Sequence, residues 1–214
     1  MARPQTDIEA GRQELLDICE ELVRKRGGVD LSMTELAATA GMSPANLYRF
    51  FENKEALLEA AAGRWFAPKI AIMEEVVAAD LPSREKMLDF FARRFVLMRD
   101  QFHEDPDMFK SYLELGDQHF EVVRGYVDLG DHYLSEIVVQ AMDEGYLPDL
   151  SVDDAVSLIN QMVQCYCNPE ALLYLDHKLS EEKLACIIDT IFIGLGRKFE
   201  ARSGSGQPHI KIVT

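Results

Sequence analysis

Asn46 and Arg49 stand three positions apart in a stretch that also holds Ser43, Pro44, Ala45, Tyr48 and, a little further on, Lys54. The amide of Asn46 can donate and accept a hydrogen bond together, the pattern that adenine presents in the major groove. The guanidinium of Arg49 can donate twice to guanine, or hold a phosphate instead. Thr34 adds a hydroxyl able to donate to a phosphate oxygen. Leu47 and Phe51, four apart, belong with Leu36 and Leu57 on an apolar side, which leaves Ser43, Pro44, Ala45, Asn46, Tyr48 and Arg49 facing outward. The plain alternative for Tyr48 and Arg49 is a solvated helix face.

The elements that must position these groups are two short helices joined by a tight turn. Ser32 caps the first, with Glu35 three residues on to complete a capping box. Leu36, Ala37 and Ala40 form its apolar face, and Gly41 ends it, since glycine adopts the left-handed conformation cheaply. Ser43 caps the second, with Pro44 at the first position, where its missing N–H costs nothing. This is a helix-turn-helix, a motif whose second helix enters the DNA major groove. A preceding helix over 6–26, capped by Thr6 and Glu9 and stopped by Gly27 and Gly28, supplies a stripe of Leu15, Ile18, Cys19, Leu22 and Val23 to pack on it.

Leu36, Ala37, Ala40, Gly41, Met42, Ser43, Asn46, Leu47, Tyr48, Phe51, Lys54, Leu57 and Leu58 together resemble the DNA-binding signature of the TetR family of bacterial repressors. The resemblance covers roughly a fifth of the chain; the remainder matches that family in length and helicity. It implies that Tyr48 and Lys54 contact backbone phosphates, that an effector cavity lies among the later helices, and that the partner is double-stranded DNA. The family often carries Gly-Thr where this chain has Ala45-Asn46, a departure that alters which bases are read.

Composition sets the bounds. A net charge of −15 is unusual for a DNA-binding protein, but it is uneven: residues 1–68 carry eight Lys and Arg against eleven Asp and Glu, and the rest fourteen against twenty-six. Local cation at Arg24, Lys25, Arg26, Arg49 and Lys54 matters more for DNA than the total, and the acidic remainder should repel DNA and orient the protein. No apolar run approaches the ~20 residues that cross a bilayer, and Met1–Asp7 lack a signal-peptide core, so a cytoplasmic location with no membrane partner is expected. Cys19, Cys165, Cys167 and Cys186 suit a reducing compartment. Cys165 and Cys167 lack the spacing of a thiol redox pair. His103, His119, His132 and His177, three of them near Asp105, Asp107, Asp117 and Asp131, could in principle build a metal site. None shows i,i+4 spacing, and surface or helix-end histidines are the simpler reading. No nucleophile–base pair, phosphate loop or di-metal pattern is present, so neither catalytic residue nor cofactor nor metal is expected.

The expected fold is all-α with about nine helices. A three-helix DNA-binding domain occupies 1–52, a helical effector-binding and dimerisation domain 53–200, and a flexible Ser-Gly-rich tail 201–214, with Ile210–Val213 the sole strand candidate. Asn53 caps a fourth helix that Pro68 should kink or split. Further helices start at Ser83 and Pro106, run over 118–144, run from the Ser151 cap to His177 with a bend at Asn168-Pro169, and start again after Ser180. Phe95, Met98, Tyr112, Tyr126, Met162 and Tyr166 are candidates to line an apolar cavity for a small apolar or aromatic effector, although such stripes also serve as plain core. The last helix is apolar nearly all round, with Leu184, Ile187, Ile188, Ile191, Leu195 and Phe199 in one stripe. A second copy of the chain is its simplest cover, which places Ile187, Ile188, Ile191 and Leu195 in a homodimer seam. The leading reading is a homodimeric, ligand-released repressor on a palindromic operator. An activator or a metal- or redox-responsive regulator on the same fold, and more remotely a helical interaction scaffold, are the alternatives.

Overall fold

A computed structural model describes residues 5–118 and 120–195. His119, Gly196, Phe199, the tail and Ile210–Val213 lie outside the described residues. Among those described, the chain is all-α: eleven α-helices, one 3-10 turn and no strand.

α1 (Gln5–Arg26) ends at Gly27, which takes φ +72. α2 (Met33–Thr39) and α3 (Pro44–Leu47) are joined through Gly41 at φ +65, where a side chain would strain the backbone. α4 (Lys54–Ala78) runs unbroken through Pro68 instead of splitting there. Arg64 and Pro68, one turn apart, are both exposed, so the carbonyl that loses its helical donor lies on the wet face. α5 (Ser83–Glu104), α6 (Pro106–Gln118) and α7 (Phe120–Asp143) follow, and Gly145 at φ +91 turns the chain after α7.

The single bent helix expected over 151–177 is instead three pieces, α8 (Val152–Met162), α9 (Gln164–Cys167) and α10 (Glu170–Leu175), then a 3-10 turn at Asp176–Lys178. The first break comes at Val163, ahead of the proline. There the Tyr166 N–H closes onto the Val163 carbonyl at 2.8 Å, a tighter turn that carries the Tyr166 ring edge-on to Phe95. α11 (Glu181–Leu195) completes the described chain.

Two apolar cores result. The first joins α1, α2, α3 and the opening turns of α4 through Leu15, Cys19, Leu36, Leu47, Phe51 and Leu57, and takes in Met108 and Leu115 of α6. The second joins the rest of α4 with α5 and α7–α11 around Phe90, Phe91, Phe95, Ile137, Ile159 and Ile188. α6 touches both, because Phe109 points into the second core one residue after Met108 enters the first. α4 and α6 therefore contribute side chains to both cores.

Candidate nucleic-acid interface and effector cleft

The turn between α2 and α3 is built by local chemistry. Ser32 Oγ accepts the Glu35 N–H at 3.2 Å, Ser43 Oγ accepts the Asn46 N–H at 3.3 Å, and Asn53 Oδ1 accepts the Ala56 N–H at 2.8 Å. Each cap satisfies a donor that the helix start would otherwise leave bare. The Glu35 carboxylate pairs with Arg26 at 2.5 Å, tying α2 to the end of α1. Leu47 and Phe51 are buried, as their spacing requires, and Ser43, Pro44, Ala45, Tyr48, Arg49 and Thr34 are exposed. Tyr48, with 51% of its surface open, is a large ring left in solvent at the end of α3.

Asn46 is half-buried and accepts from Arg49 Nη1 at 3.4 Å, so the two candidate base-reading groups meet before any DNA arrives. Lys54 Nζ lies 3.5 Å from the fully exposed Asp30. Such an exposed pair is worth ~0–1 kcal/mol and yields readily to a phosphate.

Two residues that spacing alone did not mark hold this surface in place. Arg12 donates to the Phe50 carbonyl at 2.7 Å and lays its guanidinium 4.6 Å from the Phe51 ring centre. Gly11 allows the approach: a Cβ there would come within 2.5 Å of the Phe50 ring. A lone Gly-Arg pair in a helix carries no sequence signal for either contact.

The six candidates for an effector cavity are not brought together. Phe95, Met98 and Tyr166 are packed inside the second core. Tyr126 stacks on Phe66. Met162, the last residue of α8, is 38% exposed. Tyr112 lines a cleft of about 240 Å³ walled by Glu20 and Arg24 of α1, Arg64, Trp65 and Pro68 of α4, Gln101 and Glu104 of α5, and Asp105 and Met108. Tyr112 stacks on Trp65 with ring centres 4.0 Å apart and donates to Glu20 at 3.3 Å. Burial and that carboxylate push its phenol well above the ordinary tyrosine range. Arg24 and Asp105 close the cleft with a 2.7 Å ion pair, which holds the Asp105 carboxyl below its ordinary value.

The seam residues are also redistributed. Ile188 and Ile191 have essentially no open surface, because α11 buries them with Leu184 and Phe192 on its own chain, against α5. Ile187 and Leu195 are half-buried against the same core. The edge of α11 left open carries Cys186, Thr190 and Ile193, at i, i+4 and i+7, with Ile193 63% exposed. Among the described residues no three His, Cys, Asp or Glu side chains gather as a metal site. His103 instead meets Asp176 at 3.0 Å, and His132 meets Glu136 at 3.4 Å one turn away. No helix among the described residues is long and apolar enough to cross a membrane.

A capped helix-turn-helix, docked by Arg12 and carried on a helical body with its own core, defines a DNA-binding regulator. Residues 15–61 match the family model for bacterial regulatory proteins of the tetR family, and residues 83–188 match that for the tetracyclin repressor-like C-terminal domain. The fatty acid metabolism regulator protein of Bacillus subtilis is 24% identical over 127 residues, which span 58% of this chain and 66%, just under two thirds, of that protein. The SmeT repressor of the Stenotrophomonas maltophilia multidrug efflux pump SmeDEF superposes with a TM-score of 0.66 at 16% identity, covering 88% of this chain and 91% of SmeT. FadR from Bacillus subtilis, solved with stearoyl-CoA, superposes with a TM-score of 0.58 at 19% identity, covering 85% and 98%. The chain belongs to the TetR family of bacterial regulatory proteins and is a DNA-binding transcriptional regulator.

Proposed function

We propose that two copies of this chain hold their recognition turns about one helical turn of DNA apart, or a multiple of it, on a palindromic operator, in the cytoplasm. An amphipathic effector with an apolar body releases them. Residues 1–52 form the DNA-binding unit and 53–200 the effector and dimer unit, with the opening of α4 shared between their cores. Asn46 and Arg49 read base edges, Thr34, Tyr48 and Lys54 hold phosphates, and Ser43, Pro44 and Ala45 lie against the groove wall. The open edge of α11, with Cys186, Thr190 and Ile193, forms part of the seam in place of Ile188 and Ile191.

The observation that carries the reading is the cleft at Tyr112. It is walled by α1, whose Arg12 holds the recognition turn, and by α4 and α5 of the second core. A ligand wedged there must part the Trp65–Tyr112 stack or the Arg24–Asp105 pair, and either changes how α1 sits on α6. The stearoyl-CoA held by the B. subtilis FadR supports a long acyl chain as the effector body.

Fluorescence anisotropy with the DNA upstream of the chain's own gene tests the proposal. Stearoyl-CoA should lower operator affinity by about 5- to 150-fold, the usual range of allosteric coupling, and free CoA should not. Lys54→Ala should weaken all sequences alike and reduce the salt slope by about one, whereas Asn46→Ala should lose roughly 1–3 kcal/mol at one base pair only. Unchanged affinity in both variants would remove these residues from the interface.

A further inference from the structure

Beside the cleft walls Trp65 and Gln101 stand two cations, Lys69 and Arg94, that form no ion pair among the described residues. Lys69, one turn after Trp65 on α4, is largely enclosed. Its ammonium donates to Gln101 Oε1 at 2.8 Å, lies 3.5 Å from the Trp65 carbonyl and stands 4.3 Å from the Trp65 ring centre and 5.5 Å from that of Phe66. Arg94, two turns back from Gln101 on the same face of α5, rests its guanidinium 4.7 Å from the Phe90 ring centre. The charges of Asp131 and the Cys167 thiol reach Arg94, but neither forms an ion pair with it, and Asp131 is held by Asn160 at 2.8 Å. Among the described residues, then, two half-buried cations have rings, a carbonyl and a neutral amide as their direct partners, and no carboxylate pairs with either.

That arrangement is costly by itself. A buried charge persists when it is paired, and removing one from water without a counterion costs several kcal/mol. The two cations also repel each other, since the field of Arg94 acts on Lys69. Met98 stands between Arg94 and Gln101 on α5, a flexible side chain able to give way.

We infer that Lys69 and Arg94 form the anion subsite of the effector pocket: a carboxylate or phosphate borne on an apolar body binds between them, reached through the cleft wall of Trp65 and Gln101. This rests on the effector reading above and adds the charge and the seat of the ligand's head. Charge-assisted hydrogen bonds of this kind contribute enough that losing one weakens binding about 10- to 100-fold.

Trp65 is the only tryptophan in the chain, so its emission reports on Lys69 directly. Titration of the full chain with decanoate, decyl phosphate and decanol separates the charge from the apolar body. Decanoate or decyl phosphate should shift Trp65 emission saturably, decanol at least roughly tenfold more weakly. The tighter of the two anions tells carboxylate from phosphate. Lys69→Met and Arg94→Met should each bind the anion about 10- to 100-fold more weakly while decanol binding is unchanged. If decanol matches the anions, if no anion binds, or if both folded Met variants keep wild-type affinity, the subsite is overturned. If a Met variant fails to fold by circular dichroism, the wild-type comparison of decanoate with decanol decides. Operator release is read separately: anion binding without release sinks the effector reading and leaves the subsite, while release by stearoyl-CoA with no decanoate or decyl phosphate binding does the reverse.

Discussion

Lys69 concentrates the conflict between folding and function in one side chain. Its partners are rings, an amide and a carbonyl, and burial with the help of Arg94 lowers its pKa from the ordinary 10.5 to about 7. The fold thus favours the neutral amine, and the unfolded chain the charged one. Below about pH 7 both states are protonated and the burial cost is fully present. Between about pH 7 and 10.5 the unfolded state binds the extra proton, so stability rises with pH. The wild-type melting temperature should therefore climb relative to that of Lys69→Met on going from about pH 6 to about pH 9.5, by about 2–4 °C for each kcal/mol recovered. Parallel melting curves for the two proteins across that range would show that Lys69 titrates as it does in water. Binding an anion must also draw a proton onto Lys69 near neutrality, because the new counter-charge favours the ammonium.

At the scale of the element, the recognition turn is too short to hold itself. α3 is a single turn between Pro44 and Leu47, and isolated helices of that length do not form in water. Its geometry comes from the Ser43 cap, the Leu47 and Phe51 anchors and the grip of Arg12 on the Phe50 carbonyl. Arg12→Ala removes a charged hydrogen bond and a cation–π contact, and should cost roughly 1–3 kcal/mol of stability. Operator affinity should fall with it, although Arg12 is assigned no DNA contact. Anisotropy and thermal melts on this variant settle the matter: a stable protein with full affinity would show that the turn docks without Arg12. α4 works in the opposite way. Its 25 residues are long enough to run from the Asn53 cap beside the recognition turn to Trp65 and Lys69 in the second body.

For the whole molecule, the open face matters as much as the filled ones. α11 spends its best apolar stripe, Leu184, Ile188, Ile191 and Phe192, on its own core, and offers a partner only the narrower edge of Cys186, Thr190 and Ile193. Ile193→Glu places a charge on that edge and should shift sedimentation toward monomer with little change in the melt, since the side chain is already in water in the single chain. Ile188→Asp buries an unpaired charge, and should cost several kcal/mol and unfold the protein. An Ile193→Glu protein that sediments as wild type would move the seam elsewhere. The surplus of acid lies outside residues 1–68, where it should repel DNA.

The features legible in the sequence were those that local chemistry satisfies within three or four residues. Ser32, Ser43, Asn53 and Ser151 cap where they were expected to, Gly41 and Gly145 sit at positive φ, and Leu47 and Phe51 turn inward because a helical turn separates them. Those few contacts define the helix-turn-helix, and with it the class of protein. Contacts between residues far apart in the chain were not legible. Arg12 meets Phe50 across 38 positions and Lys69 meets Gln101 across 32. The fate of Ile188 and Ile191 turned on α5 lying against α11. An apolar stripe records only that something must cover it. Which surface does so, another helix of the same chain or a second copy, depends on how the helices pack, and that packing also left Tyr112 at a cleft and Lys69 and Arg94 half-buried with no ion pair.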